Sequence, residues 1–278
     1  MIYRLDKLSE SKINPVTKQA YDSSWIILML TDSPDYRQIC GSSNGCAYTI
    51  KTSRSNCQNW MMAVGDFLGF CEENEKNAVL VMSEADFKTA KNHYEGHSYK
   101  EAFLREDEPS VLIHSTPMNS WEQIRNDGML KSWNILKSEK AVDEKQPVGI
   151  SLGDPADFRD YIMFGGGITG EIVVNSRQKG EIVMDPDAEY LTGARLYFDA
   201  KRMAQDGLLV RDGCHLKVKD RLPLEPYLIW TATWKTLGFA SQVSTPKIFA
   251  EQADEQFHAF LQLRNRANGF YKNRAVNP

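Results

Sequence analysis

The run Ser24-Trp25-Ile26-Ile27-Leu28-Met29-Leu30-Thr31 is the densest apolar stretch of the chain, and it is only strand-sized. A helix that spans a bilayer needs about 20 mostly apolar residues, so no membrane segment is expected. A short branched run bounded by Asp and Pro predicts a buried strand. The 278-residue chain as a whole is 42% hydrophobic and 25% charged, ordinary for a globular chain with a sizeable core. Global disorder is excluded, and the length suggests about two domains. The first ten residues, MIYRLDKLSE, contain no apolar core of the kind a secretory signal carries, so none is expected.

The five cysteines (Cys40, Cys46, Cys57, Cys71, Cys214) form no C-x-x-C pair. Scattered cysteines suit a reducing cytosol and disfavour a structural zinc site. His93 and His97 would share a helix face, but Gly96 weakens the helix and the pattern is not H-E-x-x-H; no metal is expected. A net charge of −4 argues against a basic nucleic-acid coat. From Arg264 onward, Arg264, Arg266, Lys272 and Arg274 meet no acidic residue. They form either a phosphate-seeking tail or a solvated terminus.

The elements predict an α+β fold. Strands are expected at 24–31, 45–52 and 77–83, a helix with Ser55 or Asn56 as N-cap carrying Trp60, Val64, Phe67, Leu68 and Cys71, and a second helix over 84–95. The acidic stretch ending at Pro109 marks a boundary. Beyond it, a strand over 110–114 precedes a helix with Trp121 and Ile124 that stops at Gly128. Further strands are expected at 148–152, 171–175, 181–185, 195–200, 208–210, 215–218 and 228–234. Helices are expected from Asp154-Pro155 through Phe158, Tyr161 and Ile162, and over 246–264. This gives an accessory α+β domain over 1–108, a second domain over 109–245, and a C-terminal helix with a basic tail over 246–278.

Residues 110–230 carry motifs in a recognisable order. Leu112-Ile113-His114-Ser115-Thr116 is followed by Trp121, Ile124, Gly128 and Met129. Ile150-Ser151-Leu152-Gly153-Asp154 comes next. Then come Leu196-Tyr197-Phe198-Asp199-Ala200, Met203, Asp206-Gly207, Asp212-Gly213-Cys214-His215-Leu216 and Pro223, Pro226-Tyr227. Together they resemble the ADP-ribosyltransferase superfamily, most closely its RNA 2′-phosphotransferase family. The resemblance implies a split β-sheet catalytic domain that uses NAD. Ser115 stands where the family has glycine, Cys214-His215 where it has Val-Trp, and residues 1–108 contain no Arg-His pair.

The resemblance implies that His114 hydrogen-bonds a ribose hydroxyl, since a neutral imidazole both donates and accepts. The alternative is an edge histidine with Ser115-Thr116 capping the next helix. Ser115, Thr116, Ser151 and Arg195 are implied in cofactor binding. Tyr161 either stacks on nicotinamide or packs in the core. Asp212 falls where many members place a catalytic carboxylate, and D-G is also a common turn. Glu171 and Glu181 stand in reserve. His215 either acts as base or phosphate ligand, or is a surface strand histidine. The implied activity is ADP-ribosyl transfer to a macromolecule, RNA before DNA or protein, in a cytoplasmic toxin or phage-defence effector with an antitoxin partner. An RNA 2′-phosphotransferase and a catalytically degenerate binding module are the alternatives.

Overall fold

The computed structural model describes residues 1–7, 13–22, 24–41, 47–95, 109–142, 147–151 and 154–274. The fold is α+β, and the chain divides into two compact units that interleave in sequence. The first comprises Met1–Pro109, Leu130–Met163 and Lys201–Leu222, the second Ser110–Met129, Phe164–Ala200 and Pro223–Pro278. The first crossing falls between Pro109 and Ser110, and the chain then crosses four more times.

The first unit opens with β1 (Ile2–Leu5), β2 (Trp25–Thr31), β3 (Gln38–Gly41), β4 (Tyr48–Ser53), α1 (Trp60–Glu73), β5 (Asn77–Val81) and α2 (Glu84–Glu95). The second unit receives β6 (Val111–Thr116) and α3 (Met118–Asp127). After β7 (Met129–Lys131), the elements α4 (Trp133–Ser138), α5 (Val148–Ser151), a 3₁₀ turn (Ala156–Asp160) and β8 (Tyr161–Met163) rejoin the first. Next come α6 (Thr169–Lys179), β9 (Tyr190–Leu191) and β10 (Ala194–Asp199) in the second unit. From α7 (Ala200–Gln205) the chain returns to the first with β11 (Leu209–Arg211), β12 (Leu216–Lys219) and β13 (Arg221–Pro223). It finishes in the second with β14 (Leu228–Thr233), β15 (Val243–Ser244) and α8 (Pro246–Arg274).

The first unit is built on a sheet of order β1-β5-β2-β4-β3. All its pairs are parallel except that of the edge strand β3 with β4. Successive side chains of a strand point to opposite faces, and here both faces are covered. Ile26 and Leu28 of β2, with Ala78 and Leu80 of β5, pack into one core with Val64, Phe67 and Phe70 of α1. Trp25, Ile27, Val79 and Val81 enter a second core with Tyr3 and Tyr21. Burial on both sides is why β2 reads as an unbroken apolar run rather than an alternating one. β11, β12 and β8 form a further antiparallel sheet in this unit.

In the second unit, β10 is the middle strand of an antiparallel sheet, β14-β10-β6. Tyr197 of β10 stacks on Phe257 of α8 with centroids 4.1 Å apart. That contact anchors a core of Tyr197, Phe249, Ala253 and Phe257. Gly128 ends α3 in the left-handed conformation, φ 68°, as its position predicts.

Several local expectations are corrected. Residues 171–175 lie in α6, not in a strand. The β-branched Ile172-Val173-Val174 run mimics a strand, but the segment is helical with Ile172, Val174, Asn175 and Ser176 buried, and Gly180 at φ 67° stops the helix. The turn expected at 177–180 is therefore the end of α6. Residues 181–185 form no strand. Residues 148–151 form a short helix. Tyr161 and Ile162 lie on β8, because the preceding 3₁₀ turn ends at Asp160. α1 begins after Asn59, and Asn56 instead donates its amide to the carbonyls of Ser33, Pro34 and Tyr36.

Candidate functional site

Among the described residues, two polar clusters concentrate the reactive side chains, one in each unit. In the first, register does the positioning. Cys40 of β3 pairs with Ile50 of β4, and Tyr48 lies two residues before Ile50, so Cys40 and Tyr48 share the face that packs on α1. The β11–β12 turn meets the same face. Gly213, at φ +91°, makes this fit: a Cβ there would come within 2.7 Å of the Ala63 carbonyl and 3.0 Å of Phe67 Cβ. Gln38 clamps the turn by donating to the Gly213 carbonyl at 2.5 Å.

Asp212 organises the turn from its first position. Its Oδ1 accepts from the backbone N–H groups of Cys214 (3.1 Å) and His215 (2.7 Å). Its Oδ2 lies 3.0 Å from His215 Nδ1 and accepts from Lys217 Nζ at 2.8 Å. The other imidazole nitrogen, Nε2, lies 3.2 Å from Cys40 Sγ and 3.3 Å from the Tyr48 hydroxyl. Lys217 is fully buried, and its ammonium group sits 4.2–4.5 Å from the ring centres of Phe70, Phe158 and Tyr161. A cation–π box of this kind replaces part of the lost hydration.

The charges balance around His215. Burial pushes the Asp212 carboxyl up, but His215 and Lys217 outweigh it and hold the group below the usual carboxylate range. Burial likewise opposes charging of His215, yet Asp212 wins and raises the imidazole to about 10. Interaction with Cys214 and with His215 outweighs burial and lowers the Cys40 thiol well below its ordinary range. The interaction with Cys40, with burial, drives Cys214 up. A cavity of about 170 Å³ borders the turn, with Arg37, Gln38, Asp66, Arg211, Cys214 and His215 in its wall.

The second unit's cluster is buried. Glu171, in the first turn of α6, accepts from Ser115 Oγ (2.5 Å) and the Tyr190 hydroxyl (2.6 Å). Gly170 permits this approach, since a Cβ there would lie 2.5 Å from Ser115 Oγ. Arg195 contacts Glu171 at 3.5 Å, but its strongest bonds run from Nε and Nη2 to Asp254, at 3.0 Å each. Tyr197 donates to Asp254 at 2.7 Å, and Gly167 accepts from Arg195. With Arg195 committed elsewhere, burial dominates at Glu171 and pushes its carboxyl upward, against the pull of Ser115, Tyr190 and Arg195.

The residues singled out from sequence fall into separate groups. Ser115 and Arg195 come together, because they are register partners of β6 and β10 and share a face. His114 pairs with Leu196, so it points to the opposite face, half-buried, with its ring 6.3 Å from that of Phe164. Thr116 shares that alternation and is buried. Asp212 and His215 meet each other in the first unit. Tyr161 is buried, its ring against Lys217 and its hydroxyl donating to Asn74. Ser151 ends α5. Glu181 is exposed. His93 lies in α2, whereas His97 and Cys46 lie outside the described residues.

Cys40, Tyr48 and Lys217 were not singled out by sequence as members of a site. The adjacent Cys214-His215 after an Asp-Gly turn was the one available signal. Cys40 and His215 are 175 positions apart, so no spacing pattern joins them. Comparison with protein-family models, with curated proteins and with solved structures finds no match.

Proposed function

We propose that the chain binds NAD and transfers its ADP-ribosyl group to a macromolecule, with RNA as the first acceptor to test. The observation that supports this reading most is the setting of His114. It stands near the end of β6, half-buried, while on the opposite face the Ser115–Glu171–Arg195 network ties the strand to α6 and α8. A buried ionic network of this kind is weak evidence for stability in itself, and a role in fixing geometry accounts better for its presence. An imidazole on a strand tied in this way suits a ribose diol, since imidazole can both donate and accept. In the reaction, the bond between nicotinamide and ribose breaks, nicotinamide leaves, and an acceptor nucleophile bonds to the ribose carbon as it loses its proton to a base.

The test is incubation of the full chain with NAD labelled in its adenylate, against RNA, DNA and protein mixtures. The expected result is label joined to one acceptor class, with a mass gain of one ADP-ribosyl group. Loss of a 2′-phosphate from RNA, with formation of a cyclic-phosphate product, would mark the phosphotransferase instead. A second reading, a binding module without turnover, is favoured by one specific observation. Glu171 and Arg195 are each 0% exposed and satisfied by protein partners alone. Tight NAD or partner binding without nicotinamide release would select it.

A further inference from the structure

We propose that Cys40, Cys214 and His215 form a binding site for a soft divalent metal ion, zinc foremost. One sulfur comes from the edge strand β3. The second sulfur and an imidazole come from the β11–β12 turn. Their ligand atoms all lie within 4.8 Å of one another, with Cys40 Sγ 3.2 Å from His215 Nε2. Two sulfurs and a nitrogen match the donor preference of zinc and exclude the hard, oxygen-seeking cations calcium and magnesium.

The surroundings of the three ligands fit the same role. His215 gives its Nδ1 to Asp212 at 3.0 Å, which fixes the ring and aims Nε2 at the two sulfurs. Ligating histidines are commonly oriented by such a carboxylate. Asp212 is held in turn by Lys217 and by the backbone of its own turn. Cys40 is exposed, which gives an ion a route in. A lone thiol nucleophile with a histidine base would account for Cys40 and His215 but leaves the second sulfur unexplained. Three protein ligands leave a fourth position for water or a substrate atom, as in catalytic rather than structural zinc sites.

Binding forms two metal–sulfur bonds and one metal–nitrogen bond. Two protons leave, one from Cys214 and one shared between Cys40 and His215 Nε2. The site lies wholly in the first unit and stands whether or not the chain uses NAD.

The experiment is titration of the chelator-stripped full chain with Co²⁺ alone, read by absorption, followed by displacement with Zn²⁺. The expected result is one Co²⁺ per chain, with thiolate charge-transfer absorption and the visible bands of a tetrahedral site, all removed by stoichiometric Zn²⁺. Cys40→Ser and Cys214→Ser should each weaken binding at least ~10-fold, and Asp212→Asn should weaken it ~10–100-fold through the orientation of His215. Cys40→Ser alters an exposed edge position, so its melting temperature in chelator should match that of the unaltered chain. Absence of the charge-transfer band at equimolar Co²⁺, or its persistence in both cysteine variants, overturns the proposal. Rapid alkylation of Cys40 that saturating Zn²⁺ does not slow also overturns it and leaves the thiol nucleophile.

Discussion

At the scale of single residues, Lys217 is the most consequential side chain that the sequence alone does not advertise. It reads there as one of several charges alternating along Leu216-Lys217-Val218-Lys219. In the fold it is fully buried, boxed by Phe70, Phe158 and Tyr161, and bonded to Asp212 at 2.8 Å. Breaking a buried pair costs up to about 3–5 kcal/mol, and without Lys217 the Asp212 carboxylate keeps only His215 and two backbone N–H groups. Lys217→Met keeps most of the apolar stem and is expected to lose that much in a urea titration near neutral pH. A loss below ~1 kcal/mol would show that the Asp212–Lys217 pair does not hold the turn. Asp212 itself was legible only in part. A catalytic carboxylate and a turn residue stood as alternative readings of Asp212; in the fold it caps its own turn and also partners His215, a contact the sequence did not suggest.

At the scale of elements, the sequence was most legible where one kind of burial governs a whole segment. The uninterrupted Trp25–Leu30 run, the apolar run Leu196-Tyr197-Phe198 and the helix over 84–95 all gave their elements nearly to the residue. It misled at α6. There a short β-branched run gives little periodicity, and the tertiary setting overrides its strand preference. Glu171 carries a pH prediction for this element. Its carboxyl is pushed above the ordinary value of 4.5, with burial as the leading cause. A carboxyl raised in the folded state is bound more tightly as the protonated form. Its contribution is fully present below about pH 4.5 and is lost as pH rises through the folded value. The neutral variant Glu171→Gln is therefore expected to gain stability relative to the unaltered chain from mildly acidic toward neutral pH. Unfolding titrations of both across that window check this. A difference that stays constant or runs the other way contradicts a buried, upward-shifted Glu171.

At the scale of the whole molecule, the sequence conveyed the α+β class but not how the chain is shared between the two units. The interleaving depends on pairings such as β8 with β12, which join segments far apart along the chain and leave no local signature. The same long-range assembly brings Cys40 to Cys214 and His215. The NAD reading depends most on His114, the proposed ribose ligand near the end of β6. Nicotinamide release by the full chain, compared between the unaltered protein and His114→Ala, tests it most directly. We predict measurable release that falls at least ~10-fold in the variant, consistent with loss of ~1.4 kcal/mol or more of binding or transition-state stabilisation. The variant's melting temperature should stay close to the original, since His114 is only half-buried. Release that is equal in the two proteins, or absent from the unaltered chain with every acceptor class, contradicts the account.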